Sequence, residues 1–360
     1  MSKLGLYIHI PFCSQRCIYC HFATDTVHND KHQLYFEALK KEILLQKDII
    51  VTSIHTIYFG GGTPSLVNPN LISDLLFFIH QNLPVIKNPE ITLECNPESV
   101  TKEKVDTYQK SGINRISLGL QAWQNHHLQK LNRAHNLETF LKAYSIIKKS
   151  KIKNTSIDLI FGLPNQTLGE WQESLSEVIK LKPKHISLYS LEYHPQTPLM
   201  GLKISNKISP ISDNLDRQMY HLACEYLSNN GYPQYEISNF SKKGFESKHN
   251  LNFWKGEDFL GVGLSAASFH KGQEWENTTF WDKYLSGELP IKRSLSKNEL
   301  KTNKLLLNIR LNRGLRSNQI PPAQLKPLLD SRLVIQKQNK ISLTPKGKDL
   351  ENQVSQILYS

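Results

Sequence analysis

Six β-rich runs alternate with helix-like stretches through the first half of the chain, and this alternation restricts the fold more than any other feature. The runs are "GLYIHI", "IHTIYFG", "EITLEC", "RISLGL", "TSIDLIFG" and "HISLYSLE". Between them, "QLYFEALKKEILLQ", "LISDLLFFIH", "TFLKAYSIIKK" and "TLGEWQESLSEVIKL" carry apolar residues at helical spacing. Strands separated by helices predict a parallel α/β sheet. An open doubly wound sheet and a barrel both satisfy the pattern. Either one gathers chemistry at the carboxyl ends of its strands.

Polar and glycine-rich residues fall at those ends. Cys13, Cys17 and Cys20 follow the first run, and "GGGTPS" (Gly60 to Ser65) follows the second. Glu94 closes the third run and Gln121 follows the fourth, while Asp158 lies within the fifth and Glu192 ends the sixth. One such coincidence carries little weight. Six strands delivering such ends point to a single site.

Three of the five cysteines fall within eight positions, in "CSQRCIYC". An odd total and such crowding do not suit a disulfide framework, and in a reducing compartment a cluster of this kind marks metal binding or catalysis. Three thiolates hold three corners of a [4Fe–4S] cube and leave the fourth iron open to an added ligand. Zinc is the alternative, with His21 as fourth ligand, although adjacent ligands at Cys20 and His21 strain a tetrahedron. Three buried free thiols are the plainest reading. Taken alone, Gly61, Gly62 and Thr63 form a turn stopped by Pro64.

At 360 residues the chain has room for one large domain and a small one. No stretch approaches the roughly 18 continuous apolar residues of a membrane span. The start, "MSKLGLYIHI", lacks the apolar segment and cleavage site of a signal peptide, so a cytoplasmic location is expected. The net charge is +12, and from Ser296 onward twelve Lys/Arg face four Asp/Glu. Such a segment suits an acidic partner (nucleic acid, anionic lipid or a carboxylate-bearing ligand) or forms a solvated basic face.

Gly201 to Leu289 reads as mixed and irregular, and the character changes near "SGELPIKRSLS". After a helical "KNELKTNKLLLNIRL", the remainder reads as helix, short hairpin ("LVIQKQNKISLT") and helix, compatible with a winged-helix-like unit. The expected organisation is an α/β domain over 1–200, an accessory region packed on it over 201–292, and a small C-terminal winged-helix-like domain over 293–360.

The Cys-x3-Cys-x2-Cys spacing of "CSQRCIYC" resembles the signature of radical S-adenosylmethionine (SAM) proteins. The flanking "YIHIPFC" narrows the likeness to the oxygen-independent coproporphyrinogen III oxidase-like family. It continues through "GGGTPS", "ECNPE", "SLGLQ", "LNRAH", "DLIFGLP", "YEISNF" and "HNLNFW". The resemblance implies a partial (β/α)6 barrel in which Cys13, Cys17 and Cys20 ligate a [4Fe–4S] cluster whose open iron is chelated by SAM. It also implies that Gly61, Gly62 and Thr63 let the backbone approach SAM. By the same likeness Tyr7, Tyr19, Glu94, Gln121, Arg133, Asp158 and Glu192 contact SAM. Charged groups among them suit its ammonium, carboxylate and ribose hydroxyls.

Two activities divide that family. The oxidases usually carry another cysteine two positions after the third ligand, and a longer segment ahead of the first strand. Phe22 stands at that position here, and six residues precede Tyr7. Both features resemble the HemW-like heme-chaperone branch, which also carries a His-Asn-x-x-Tyr-Trp motif proposed to hold heme. In "HNLNFW" the residues His249, Asn250 and Trp254 are kept, and Phe253 replaces the tyrosine, removing a hydroxyl. Histidine is a natural axial ligand of heme iron, and aromatic rings pack on the macrocycle. Read without the family, His249 caps a loop and Trp254 packs a core. In "GVGLSAASFH", Leu264, Ser265 and Ala267 stand where relatives commonly have proline, glycine and histidine.

The resemblance therefore implies a chaperone that binds a [4Fe–4S] cluster, SAM and heme and passes heme to acceptor hemoproteins, membrane-bound ones included, with no catalytic residue assigned. It leaves open a homodimer and peripheral attachment to the cytoplasmic membrane, and it implies no stable nucleic-acid complex. The alternatives are a coproporphyrinogen III oxidase of porphyrin biosynthesis and, prompted by the basic tail, an RNA-modifying radical SAM enzyme.

Overall fold

The computed structural model describes residues 3–26, 30–50 and 52–359. Its first six strands are β1 (Leu4–Ile10), β2 (Ile54–Gly61), β3 (Val85–Cys95), β4 (Arg115–Gln121), β5 (Asn154–Phe161) and β6 (His185–Ser190). Each pairs in parallel with the next in sequence. All six expected strands thus join one sheet in chain order, the arrangement of a partial (β/α)6 barrel. Helices cover the outer face, so the strands are largely buried on both sides and show β-rich runs in place of a strict alternation. In β4 every residue from Arg115 to Leu120 is buried.

The four helices with clear periodicity form at Asp30–Gln46, Pro69–Asn82, Leu137–Lys149 and Leu168–Leu181. The last begins with a reciprocal cap between Thr167 and Glu170, which satisfies two backbone donors that would otherwise lack partners. A fifth helix, Lys102–Lys110, has no such periodicity because it buries only Val105 and Tyr108. Thr101 caps it through the Lys104 N–H.

The sheet is wider than the sequence indicates. Strands β7 (Gln234–Glu236), β8 (Asn239–Ser241), β9 (Phe259–Val262), β10 (Ala267–His270), β11 (Gln273–Glu276) and β12 (Arg293–Ser294) extend it to twelve. β9 runs parallel to β1 on one side, and β8 runs antiparallel to β6 on the other. The region that reads as irregular combines a long helix, Asp213–Asn229, and shorter ones with strands three to four residues long, too short to show alternation. Among the described residues the outermost strands, β12 and β7, do not pair, so the sheet stays open.

One buried carboxylate ties this extension to the first helix. Glu42 accepts hydrogen bonds from the Gly263 N–H at 2.9 Å, Asn277 Nδ2 at 2.7 Å and the Tyr284 hydroxyl at 2.7 Å. The principal apolar core runs from Leu4 to Tyr284. A second core, around Ile309, Leu328, Ile341 and Val354, lies wholly after it in sequence. There β13 (Leu315–Arg316), β14 (Val334–Lys337) and β15 (Lys340–Leu343) form an antiparallel sheet beside helices Lys297–Ile309, Pro322–Asp330 and Glu351–Tyr359. This is the helix, hairpin and helix order the sequence predicts.

Candidate functional site

The carboxyl ends of β1 to β6 open into one cavity of about 370 Å³. Cys13, Cys17 and Cys20 line it, all with free thiols. The segment that bears them folds back on itself, with the Cys13 N–H donating to Asp25 O at 2.9 Å and the Asp25 N–H to Pro11 O at 2.7 Å. It is also clamped to the chain after β4. The Ile18 N–H donates to Leu131 O, Gln15 Nε2 to Asn132 O, and Asn132 Nδ2 to Arg16 O.

A hydrogen-bonded belt joins two of the sulfurs. Arg133 Nη1 donates to Cys17 Sγ at 3.4 Å, and Nη2 donates to Asn96 Oδ1 at 2.7 Å. Asn96 Nδ2 donates in turn to Thr63 Oγ1 at 2.9 Å, and Thr63 Oγ1 to Cys13 Sγ at 3.5 Å. Tyr19 OH also receives Arg133 Nη1 at 3.4 Å. Donors aimed at sulfur are the surroundings that tune an iron–sulfur centre.

Burial holds the Cys13 thiol up, at about 11, and raises that of Cys20. A metal centre supplies the positive charge that turns such thiols into ligands. Among the described residues the three sulfurs do not form a group within the 4.8 Å span expected around one ion. His21 packs instead on Phe22 and His194, at ring separations of 4.6 and 3.7 Å. The donor set therefore fits a cluster with irons at separate corners better than a single zinc ion.

The glycines serve packing as well as access. A side chain at Gly62 would meet Pro11 C at 2.7 Å and Phe12 O at 2.8 Å, and one at Gly61 (φ +108°) would strike the His9 ring. Gly62 and Thr63 donate their N–H groups to Ile10 O and Phe12 O, both at 2.8 Å, and line the cavity.

The carboxylates sit deeper. Glu94 accepts from the Tyr58 hydroxyl at 2.7 Å and the Gly61 N–H at 3.2 Å. Burial, with Asp158 adding to it, pushes Glu94 up to about 7. Asp158 accepts from Ser117 Oγ at 2.8 Å and Ser156 Oγ at 2.9 Å, and burial raises it too. Beneath them is Arg115, fully buried, whose Nε and Nη1 make no hydrogen bond among the described residues. Gln121, at φ 69°, and Glu192, paired with His194 at 2.7 Å, complete the lining the sequence predicts.

A second cavity of about 670 Å³ shares a wall with the first, made of His21, Phe22, Tyr58, Tyr189 and Asn250. Helix Lys248–Trp254 supplies His249, Asn250, Phe253 and Trp254 to it. Tyr7 belongs to this cavity and not to the first, and its hydroxyl lies 3.2 Å from His9 Nδ1. Ser265 and Ala267, two of the departures from the family pattern, also face it. Phe22 is 55% exposed at the shared wall.

Three histidines border the second cavity, and their ring nitrogens differ. His9 has both engaged, by Tyr7 OH and by Ala23 O at 2.7 Å. His249 has only Nδ1 engaged, by Thr56 Oγ1 at 2.9 Å, while its backbone N–H is held by Glu90 Oε1 at 3.0 Å. Burial, reinforced by Arg115, lowers His249 to about 3, so its ring stays neutral near pH 7. Across the helix, Trp254 carries the Arg310 guanidinium over its ring at 4.7 Å. A roomy cavity with aromatic walls and, at His249 Nε2, an imidazole nitrogen with no partner among the described residues fits heme.

Thus the sequence-predicted residues divide between two adjoining cavities. Thr56, Asn96 and Arg115 are the residues that sequence reasoning does not single out. Asn96 alone had a signal, its place inside "ECNPE".

The Radical SAM superfamily profile matches residues 7–178. The structure of coproporphyrinogen III oxidase (HemN) from Escherichia coli, a radical SAM enzyme, superposes with a TM-score of 0.85. It does so over 100% of this chain and 90% of that one, at 22% identity, a likeness of fold. Fold and site together define a radical SAM protein. The heme chaperone HemW of Lactococcus lactis subsp. lactis is 31% identical over 97% of this chain and 95% of its own length. That of Haemophilus influenzae is 38% identical over 80% and 77%. The chain belongs to the HemW heme chaperone family.

Proposed function

We propose that the chain binds heme in the cavity bordered by His249 and hands it to acceptor hemoproteins, beside a [4Fe–4S] cluster and SAM held in the cavity of Cys13, Cys17 and Cys20. The observation that carries this reading is the shared wall between a cysteine-lined cavity and a larger aromatic one that presents a free histidine nitrogen.

Cluster and SAM, when bound, supply one-electron chemistry. The chain's own groups hold and orient. Arg133, Asn96 and Thr63 would steady the sulfurs, and Glu94 and Asp158 offer acceptors to the ammonium and ribose hydroxyls of SAM. Tyr19, Gln121, Gly61 and Gly62 complete that pocket, with Glu192 at its mouth. Tyr7, Asn250 and Trp254 form the wall for the macrocycle, and Phe253 contributes a ring without a hydroxyl.

The barrel over 1–200, the accessory region over 201–292 and the C-terminal unit over 293–360 are proposed as the working divisions; the first two share one apolar core, and the separate second core supports the last boundary. No helix among the described residues is long and apolar enough to cross a membrane. Cytoplasmic residence, with the basic segment after Ser296 meeting anionic lipid near membrane-bound acceptors, belongs to the same reading.

The test is anaerobic reconstitution of the cluster followed by heme titration and turnover assays on one sample. A saturating Soret change that His249→Ala abolishes is the expected result. Conversion of coproporphyrinogen to protoporphyrinogen with SAM and reductant would overturn the reading in favour of the oxidase. Salt-dependent RNA retention, lost on truncation at Ser296, would favour an RNA-directed enzyme.

A further inference from the structure

A second group of metal-type ligands lies on the outer rim, and none of its members lines either cavity. We propose that His126, His127 and Glu170 form a divalent transition-metal site, with Zn²⁺ the ion that suits the donor set.

The two histidines occupy helix Asn125–Lys130, and Glu170 stands in the first turn of helix Leu168–Leu181. Consecutive residues on a helix diverge by about 100°, yet these rings lie 4.1 Å apart. His126 Nε2 is 3.1 Å from Glu170 Oε1, and His127 Nε2 is 3.5 Å from Oε2. All three ligand atoms lie within 4.8 Å of one another. Ligands about 2.0–2.1 Å from a tetrahedral zinc stand roughly 3.3 Å apart, so the group is already near the required spacing.

Two further observations favour a ligand here. The His127 side chain is 1% exposed, and its Nε2 is buried with only the Glu170 carboxylate, 3.5 Å away, to face among the described residues. The carboxylate is also fixed in advance, because Glu170 Oε2 accepts from the Thr167 N–H at 2.9 Å and the Thr167 hydroxyl at 3.0 Å. A ligand oriented by such a second contact binds with less loss of freedom. The His126 side chain is 51% exposed, which leaves the fourth position to water.

The position gives the ion a task. Residues 131–133, at the end of the same segment, hold the cysteine-bearing loop through Leu131 O and Asn132 and supply Arg133 to the sulfurs. A metal joining His126 and His127 to helix Leu168–Leu181 would brace that segment from outside the cavity.

The experiment uses the cluster-reconstituted, SAM-bound chain, so that the cysteines are already occupied. Zn²⁺ is titrated anaerobically against a chromophoric chelator, and Co²⁺ is substituted to read its ligand-field absorption. One equivalent is expected in the parent chain, with affinity reduced at least tenfold in His126→Ala and in Glu170→Gln and the cluster absorbance unchanged. The exposed position of His126 makes its variant safe for folding, and a Zn²⁺-dependent rise in melting temperature should vanish with it. Absence of a bound equivalent in the parent, or the same affinity in His126→Ala, overturns the site.

Discussion

Thr56 Oγ1 lies 2.9 Å from Nδ1 of His249, a contact between residues 193 positions apart. If His249 gave Nε2 to heme iron, as proposed, its proton would sit on Nδ1 and Thr56 would be the acceptor. A neutral hydroxyl makes the ligand less basic than a carboxylate partner would, which suits a heme that must leave again. Thr56→Val keeps the shape and removes the acceptor. Heme affinity should fall about tenfold, and Thr56→Ser should restore it. Soret titration reads both, and equal affinity in the valine variant would detach Thr56 from heme binding.

Arg133 reaches Cys17 Sγ with one nitrogen and Asn96 Oδ1 with the other. A lysine keeps the charge but lacks the planar fork that makes both contacts together. Hydrogen bonds to cluster sulfurs raise the reduction potential. Arg133→Lys is therefore expected to retain four irons while the cluster potential moves to more negative values. An electron paramagnetic resonance redox titration measures the shift, and an unchanged potential would remove Arg133 from the cluster's surroundings.

The barrel was legible because β1 to β6 are largely buried β-rich runs separated by helices of clear periodicity, and because thiol spacing survives any fold. The partners of those residues were not legible. Thr56 looks like any β-branched residue in a strand, and Asn96 looks like a turn residue. Their roles depend on His249, Arg133 and Cys13, which only the folded chain brings near. Tyr7 shows the same limit. Its place in the motif predicts a contact with SAM, while its ring stands beside His9 and beside Tyr58, a residue of the wall between the two cavities, a placement only the folded chain reveals. The short strands β7 to β11 add Glu236, Asn239, Phe259, Ala267 and Glu276 to the wall of the second cavity without enough residues to show a period.

Glu94 gives a pH dependence with a definite sign. Its folded value near 7 lies above the ordinary 4.5. The ligand-free fold thus favours the protonated carboxyl, and its contribution to stability is full below about pH 4.5 and lost as pH rises through about 7. SAM brings an ammonium group that favours the ionised form. Affinity for SAM should therefore rise between pH 6 and pH 8 and be accompanied by proton release. Calorimetric titrations of the reconstituted protein in buffers of different ionisation enthalpy would detect that release. Glu94→Gln should bind more weakly and with a flat profile, and a wild-type profile that is flat as well would refute the assignment.

Glu42 holds the far wall of the second cavity without touching it. Its carboxylate collects Gly263, Asn277 and Tyr284, which bracket the segment bearing Ser265 and Ala267. Burial raises its pKa against the pull of those donors, so the group is held by hydrogen bonds and not by an ion pair. Glu42→Ala removes the acceptor of four donors, Gln46 Nε2 at 3.0 Å being the fourth, and each one left unpaired costs about 1–3 kcal/mol. Partial relaxation should leave a net loss of about 3 kcal/mol in denaturant unfolding. Glu42→Gln retains one acceptor oxygen and should lose less. The alanine variant should also release heme faster, because the strand pair β9 and β10 would no longer be anchored to the first helix. Stopped-flow transfer of heme to apomyoglobin measures that rate, and a variant with lowered stability but an unchanged rate would show that the wall keeps its shape without Glu42.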